Sequence, residues 1–240
     1  MVSDQHLLLL PGLLCDDALW ANQIRDLAPA ATLHAADLTQ HDTLAAMAHA
    51  ATAALPPRFA VAGLSMGGYL AFEILRLMPH RVTRLCLIAT AAAPDDPAQA
   101  RRRRGLIALV ARNPRFLGLS PRLLPELLHP ANLADAALAQ TLTRMALRVG
   151  REAYLRQQHA ILHRPDSRPL LPGIAIPTLV LAGEADRVTP PAASRAMAAL
   201  IPHARLAILP GCGHLPPLER PHAVTAELRN WLAAARPSPG

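Results

Sequence analysis

Ser65 lies in the pentapeptide Gly63-Leu64-Ser65-Met66-Gly67, between an apolar run, Phe59-Ala60-Val61-Ala62, and a helical pattern beginning near Gly68. A G-x-S-x-G turn from strand to helix lifts the serine hydroxyl above the carboxyl edge of a sheet, where a substrate can reach it. The two glycines let strand and helix approach without a Cβ clash. A neutral hydroxyl is a weak nucleophile and needs a base within hydrogen-bonding reach. His214, in Pro210-Gly211-Cys212-Gly213-His214 after the apolar run Leu206-Ala207-Ile208-Leu209, is the candidate base. Asp186, in Gly183-Glu184-Ala185-Asp186 after Thr178-Leu179-Val180-Leu181-Ala182, is the candidate carboxylate that orients the imidazole. Asp95 and Asp96, beyond another apolar run, and Asp166 are alternative sources of that acid.

Three chemical groups, each just past an apolar run, require elements that bring those exits together. Strands are predicted at Gln5–Leu10, Thr32–Ala36, Arg58–Gly63, Val82–Ala89, Thr178–Ala182 and Ala204–Leu209. Most are short continuous apolar runs, as expected of strands covered on both faces. Helices are predicted at Leu19–Leu27, Thr43–Leu55, Gly68–Met78, Pro191–Leu200 and Pro217–Ala235. Alternation of strand and helix implies a doubly wound, mainly parallel sheet of about six strands. Residues 95 to about 165 interrupt the alternation: Leu138, Leu142, Met145 and Val149 recur at helical spacing, and a helix resumes from Glu152 to His163 after Gly150. An insertion there sits over the carboxyl ends of the strands. Its apolar faces are expected to pack on one another and in part to line an acyl pocket.

The order Ser65, Asp186, His214, with the segments Leu7 to Trp20, Phe59 to Met78, Pro177 to Pro190 and Pro210 to Pro221, resembles the α/β-hydrolase superfamily over nearly the whole chain. Within it, the chain is similar to small, lid-bearing, cofactor-free esterases and enol-lactonases with Gly-Leu-Ser-Met-Gly-Gly elbows. The resemblance implies a spatial strand order 2-1-3-4-5-6 without a preceding antiparallel hairpin, a core of residues 1–94 and 173–240, and a helical cap at 95–172. It also implies a Ser65–His214–Asp186 triad and an oxyanion hole made by the backbone N–H groups of Met66 and Leu13. The first loop departs from the usual pattern, because Pro11-Gly12-Leu13-Leu14 replaces His-Gly-x-x-Gly. The side chains of Leu13 and Met66 are expected to matter mainly as pocket walls. The implied reaction is cleavage of a small-molecule carboxylic ester, thioester or lactone through an acyl-enzyme. The alternatives are a cofactor-free lyase, C–C hydrolase, acyltransferase or perhydrolase on the same scaffold, or a hydrolase fold retained for binding.

Composition narrows the field further. The chain has 240 residues, 52% of them hydrophobic and only 3% aromatic, so Leu, Ala, Val and Ile must build the core of one α/β domain. All 24 basic residues are arginine and the formal charge is +7. The absence of lysine removes Schiff-base chemistry, the Walker lysine and Ser–Lys hydrolysis. The run Arg101 to Arg104 lacks interleaved aromatics and reads as the solvated face of a cap helix, not as a nucleic-acid site. Cap arginines that receive a carboxylate- or phosphate-bearing substrate are a further possibility. No G-x-G-x-x-G or P-loop occurs, so no cofactor is implied. His159 and His163 are four apart, but Ala160 stands where H-E-x-x-H has glutamate, and no metal is expected. No apolar run reaches the roughly 18 residues that span a membrane. Three cysteines, Cys15, Cys86 and Cys212, suit a reducing cytoplasm better than a disulfide scaffold. Cys212 is expected to be simply buried, Trp20 and Trp231 to anchor helix ends, and the Pro-Ser-Pro-Gly tail to fray.

Overall fold

Leucines at four successive positions of the first strand, Leu7 to Leu10, alternate between two separate cores. Leu7 and Leu9 join one apolar cluster, and Leu8 and Leu10 the other. That alternation follows from the two-residue period of a strand. A strand buried on both faces therefore needs a continuous apolar run. The computed structural model describes residues 5–113 and 115–234.

Among the described residues, six strands form one parallel sheet: β1 (His6–Leu10), β2 (Thr32–Ala35), β3 (Phe59–Leu64), β4 (Val82–Ile88), β5 (Thr178–Gly183) and β6 (Arg205–Leu209). Their order across the sheet is β2-β1-β3-β4-β5-β6, the order that the resemblance implies. Each predicted strand forms within one or two residues of its expected bounds. Helices α1 (Ala21–Leu27), α2 (Leu44–Thr52), α3 (Met66–Leu77) and α7 (Pro191–Leu200) fill the crossovers. Trp20, Trp231 and Leu228 cover one face of the sheet with Leu7 and Leu9; Met47, Leu70 and Phe72 cover the other with Leu8 and Leu10.

Between β4 and β5 lie α4 (Pro97–Arg112), a short α5 (Leu124–Leu127) and a long α6 (Ala136–Leu162). Inside α6, Gly150 adopts φ 77° and ψ 175° and bends the helix. A positive φ there favours glycine, and a Cβ would meet nothing within 4 Å, so the constraint is conformational rather than steric. Beyond β6, the single helix expected from Pro217 is two: α8 (Pro216–Glu219) and α9 (Pro221–Ala233). Arg220, at φ −136° and ψ 55°, is pushed out of the helical region by the proline that follows it. Ala235, the expected end of that helix, and the Pro-Ser-Pro-Gly tail lie outside the described residues.

Candidate active site

The three strand exits β3, β5 and β6 deliver Ser65, Asp186 and His214 to one point. Ser65 has φ 53° and ψ −112°, a region that non-glycine residues rarely occupy. Such strain costs about 1–3 kcal/mol and persists only where the surroundings enforce it. Here the surroundings are specific. The Ser65 amide donates to Ile88 O at 2.9 Å, and the buried Thr90 hydroxyl donates to Ser65 O at 2.8 Å. A Cβ on Gly67 would lie 2.1 Å from Leu10 O, and one on Gly63 would lie 2.2 Å from Gly67 O. Both glycines of the pentapeptide are therefore required by backbone-to-backbone approach. The helix begins at Met66, two residues earlier than the pattern suggests, so the serine itself is its N-cap residue.

His214 Nε2 lies 3.1 Å from Ser65 Oγ, and His214 Nδ1 lies 3.0 and 2.9 Å from the two oxygens of Asp186. Hydroxyl, imidazole and carboxylate thus touch in series. With the imidazole proton on Nδ1, facing the carboxylate, the Nε2 lone pair faces the serine. Both His214 and Asp186 are buried. The Asp186 carboxylate remains solvated by protein: the amides of Val188 and Thr189 each donate to Oδ1 at 2.9 Å. The Thr189 hydroxyl lies 3.0 Å from Asp186 Oδ2, 2.8 Å from Ala89 O and 3.2 Å from His214 Nδ1.

The alternative acids lie elsewhere. Asp95 pairs with Arg103 (2.6 Å) and Arg164 (2.8 Å). Burial raises its carboxyl pKa, but the bond to Arg103 and the charges of both arginines outweigh burial and hold it below the ordinary value. Asp96 caps α4 by accepting from the amides of Ala98 and Gln99 at 2.8 Å each, and Asp166 pairs with Arg168 at the surface. The rings of His159 and His163 lie against each other at 4.2 Å between centroids, tilted by 49°. Cys212 is wholly buried, and burial raises its thiol pKa further from neutrality; burial pushes Cys15 up to about 12.

A Cβ on Gly12 would lie 3.6 Å from Ser65 Cβ, so the loop after β1 passes directly beside Ser65. Among the described residues, no protein acceptor meets the N–H of Leu13 or of Met66. The neighbouring amide, Leu14, is engaged: it donates to Gln157 Oε1 at 3.1 Å, while Gln157 Nε2 donates to Leu38 O at 3.1 Å. Gln157, fully buried on α6, thereby ties the insertion to this loop. The Leu13 side chain lines the cavity beside Ser65, as expected, whereas that of Met66 is buried in the core and is not a pocket wall.

Glu219 organises the histidine loop. Its Oε1 accepts from the amides flanking His214, Gly213 at 2.9 Å and Leu215 at 3.1 Å. Its Oε2 accepts from the His129 amide at 2.7 Å and Asn132 Nδ2 at 2.8 Å, both in the insertion. The His214 amide itself donates to Leu127 O at 2.8 Å. Glu219 and Gln157 are missing from the sequence reading because each ties its own loop or helix to a segment far away in the chain, and Thr189 because its hydroxyl gains a role only where Ala89 O and His214 meet Asp186.

Over Ser65 and His214 lies a cavity of about 250 Å³ walled mainly by Leu13, Leu119, Leu142, Met145 and Leu215. Of the helical stripe on α6, Leu142 and Met145 face this space, while Leu138 packs against the core.

Residues 7–228 match the model of the alpha/beta hydrolase family. The chain belongs to that family. Among curated relatives of this hydrolase, the pimeloyl-[acyl-carrier protein] methyl ester esterase of Xanthomonas axonopodis is 31% identical over 243 residues, 95% of each chain. The esterase of the same name from Aromatoleum aromaticum is 31% identical over 209 residues, 80% of this chain and 81% of its own. Among solved structures, a thermophilic esterase from Thermogutta terrifontis, malate bound, superposes with a TM-score of 0.87 at 30% identity, covering 97% of this chain and 90% of its own. The enol-lactonase from Burkholderia xenovorans shares the fold, with a TM-score of 0.78 at 24% identity over 97% of this chain and 92% of its own. Among the described residues, no helix is long and apolar enough to cross a membrane.

Proposed function

We propose that this hydrolase cleaves a carboxylic ester through a serine acyl-enzyme, with Ser65 as nucleophile, His214 as general base and acid, and Asp186 as the carboxylate that orients it. The reading rests on one observation, the continuous series from Ser65 Oγ through His214 to Asp186 at 3.1 and 2.9 Å. Thioesters and lactones present the same carbonyl and fall within the same chemistry. The relatives named as methyl ester esterases favour a methyl or other small alkyl ester.

Ser65 Oγ attacks the carbonyl carbon as its proton passes to His214 Nε2, a transfer worth about 10²- to 10⁴-fold in rate. Asp186 stabilises the imidazolium that forms. The oxyanion is received by the free N–H groups of Leu13 and Met66, each such donor being worth roughly 3 kcal/mol. Met66 is the first residue of α3, where the positive end of the helix dipole also favours negative charge. Collapse of the intermediate breaks the carbonyl–alkoxy bond, and His214 returns its proton to the departing alcohol. Water then attacks the acyl-enzyme, gives a proton to His214, and leaves as part of the acid while Ser65 recovers its hydrogen. Residues 95–172 act as a cap that supplies the apolar roof, on a core of residues 1–94 and 173–240. The three free, buried cysteines fit work in the cytoplasm.

Incubation with p-nitrophenyl esters of graded acyl length, beside a fluorophosphonate probe, tests the reading. A nitrophenol burst and covalent labelling of Ser65 are expected, and both vanish in Ser65→Ala. Labelling without turnover would remove water as the acyl acceptor; absence of both would overturn the proposal.

A further inference from the structure

A second cavity, of about 610 Å³, adjoins the one over Ser65 and shares with it Leu106, Leu123, Glu126 and Val188. Its chemistry is different. The catalytic cavity is walled by leucines, whereas this one is bordered by four guanidinium groups, Arg102, Arg103, Arg164 and Arg187, and only two carboxylates, Asp95 and Glu126. Part of its lining is Tyr69, one helical turn past Ser65 on α3, whose amide donates to Ser65 O at 3.3 Å. One turn of helix advances about 5.4 Å, so the basic space begins close to the nucleophile.

The charges within it are unequally matched. Asp95 serves two arginines at once: Arg103 Nε donates to it at 2.6 Å and Arg164 Nη1 at 2.8 Å. Arg164 is held further by Ala93 O and Ile161 O, and its guanidinium lies 4.3 Å from the Tyr69 ring centroid. That trio is rigid and carries one net positive charge. Arg102 and Arg187, both exposed, have no carboxylate partner among the described residues. Glu126, on the wall shared by the two cavities, would repel an anion from that wall.

We propose that this cavity receives a carboxylate at the far end of the acyl chain, so that the enzyme prefers esters whose acyl group carries a second, ionised acid function. This rests on the ester-hydrolase reading and names its substrate class. The two cavities sort the ends of one molecule. The ester carbonyl lies at Ser65 among leucines, and the acid crosses the shared wall to the arginines. Guanidinium forks match a carboxylate in shape as well as charge, and the cavity side of Arg102 and Arg187 is where such a fork is unoccupied.

Methyl half-esters of straight-chain dicarboxylic acids, compared with the dimethyl diesters of the same acids, read the preference directly. The measured quantity is the ratio of kcat/KM for half-ester to diester, after halving the diester value for its two reactive groups. At the best chain length the half-ester is expected to win by about tenfold or more, the scale of one or two charge-assisted hydrogen bonds. In the double variant Arg102→Gln, Arg187→Gln that ratio falls toward one, and in Glu126→Gln it rises. Raising the salt concentration lowers it, because both arginines are exposed. A general loss of activity cancels in the ratio. If diesters are cleaved as well as half-esters at every length, or if the double variant leaves the ratio alone, this inference fails while the esterase reading stands. If no ester is cleaved at all, the esterase reading fails. Calorimetry on the Ser65→Ala protein with free dicarboxylates still decides the cavity: binding weakened by the arginine substitutions upholds it, and no binding overturns it.

Discussion

Replacing Glu219 by glutamine changes one oxygen of a buried carboxylate into an NH2 group and leaves the volume almost untouched. Four donors converge on that carboxylate at 2.7 to 3.1 Å: the amides of Gly213, Leu215 and His129, and Asn132 Nδ2. A glutamine keeps one acceptor oxygen, so whichever way the amide turns, one pair of donors faces another donor. Hydrogen bonds to a charged group contribute roughly 1.5–3 kcal/mol each, and removing one side of a buried charged arrangement costs about 3–5 kcal/mol. Bonds that share one side chain are not additive. The expected loss is therefore about 3–5 kcal/mol in urea unfolding. At roughly 2–4 °C per kcal/mol for a chain of this size, Tm falls by roughly 6–20 °C. Activity should fall through kcat more than KM, because the two amides that flank His214 lose their fixed position while the cavity walls remain. Glu219→Asp, one methylene too short to span both segments, should behave similarly. A Tm within about 2 °C of the parent, together with unchanged kcat, would show that the four bonds do not hold the histidine loop, and the reasoning would fail.

Asp186→Asn should fold normally and lose about 10³- to 10⁴-fold in kcat, because an amide in place of the carboxylate no longer fixes the tautomer that leaves Nε2 free; kcat near the parent value would remove Asp186 from the series. Gly67→Ala should destabilise by about 3 kcal/mol or more in urea unfolding, since its Cβ would stand 2.1 Å from Leu10 O, a backbone atom that cannot step aside. The Asp95 carboxyl is held below its ordinary value in the folded state, so its contribution is fully present above the unfolded value of about 3.9. It is lost as pH falls through the lower folded value. Urea unfolding followed down to about pH 3 should show a shallower acid loss in Asp95→Asn than in the parent, and parallel curves would refute that.

The positions of Ser65, Asp186 and His214 were legible because each stands a few residues beyond a short apolar run, and in a parallel sheet such exits share one edge. Strand order was open to sequence only through resemblance, since every run was apolar enough to pair with any other. The break at Arg220 was written in the proline that follows it, yet the amphipathic pattern of α8 and α9 reads straight across. Glu219 and Gln157 belong to no recognisable motif: a lone glutamate and one of two adjacent glutamines gain their joining role only when residues 90 and 143 positions away come beside them. Met66 shows the opposite error: the motif marks the residue, yet α3 starts at Met66 and its side chain is buried in the core rather than in the cavity wall. The arginine-bordered cavity is a property of three elements meeting, and the run Arg101 to Arg104 gave only its charge.

The bond from the His214 amide to Leu127 O, and the carboxylate that joins the loops at residues 213–215 and 129–132, make roof and base one mechanical piece at that corner. A roof that swung upward there would drag the imidazole off the serine. Admission of a substrate is thus expected to leave that corner shut and to use the side of the neighbouring cavity, which the exposed Arg102 and Arg187 border.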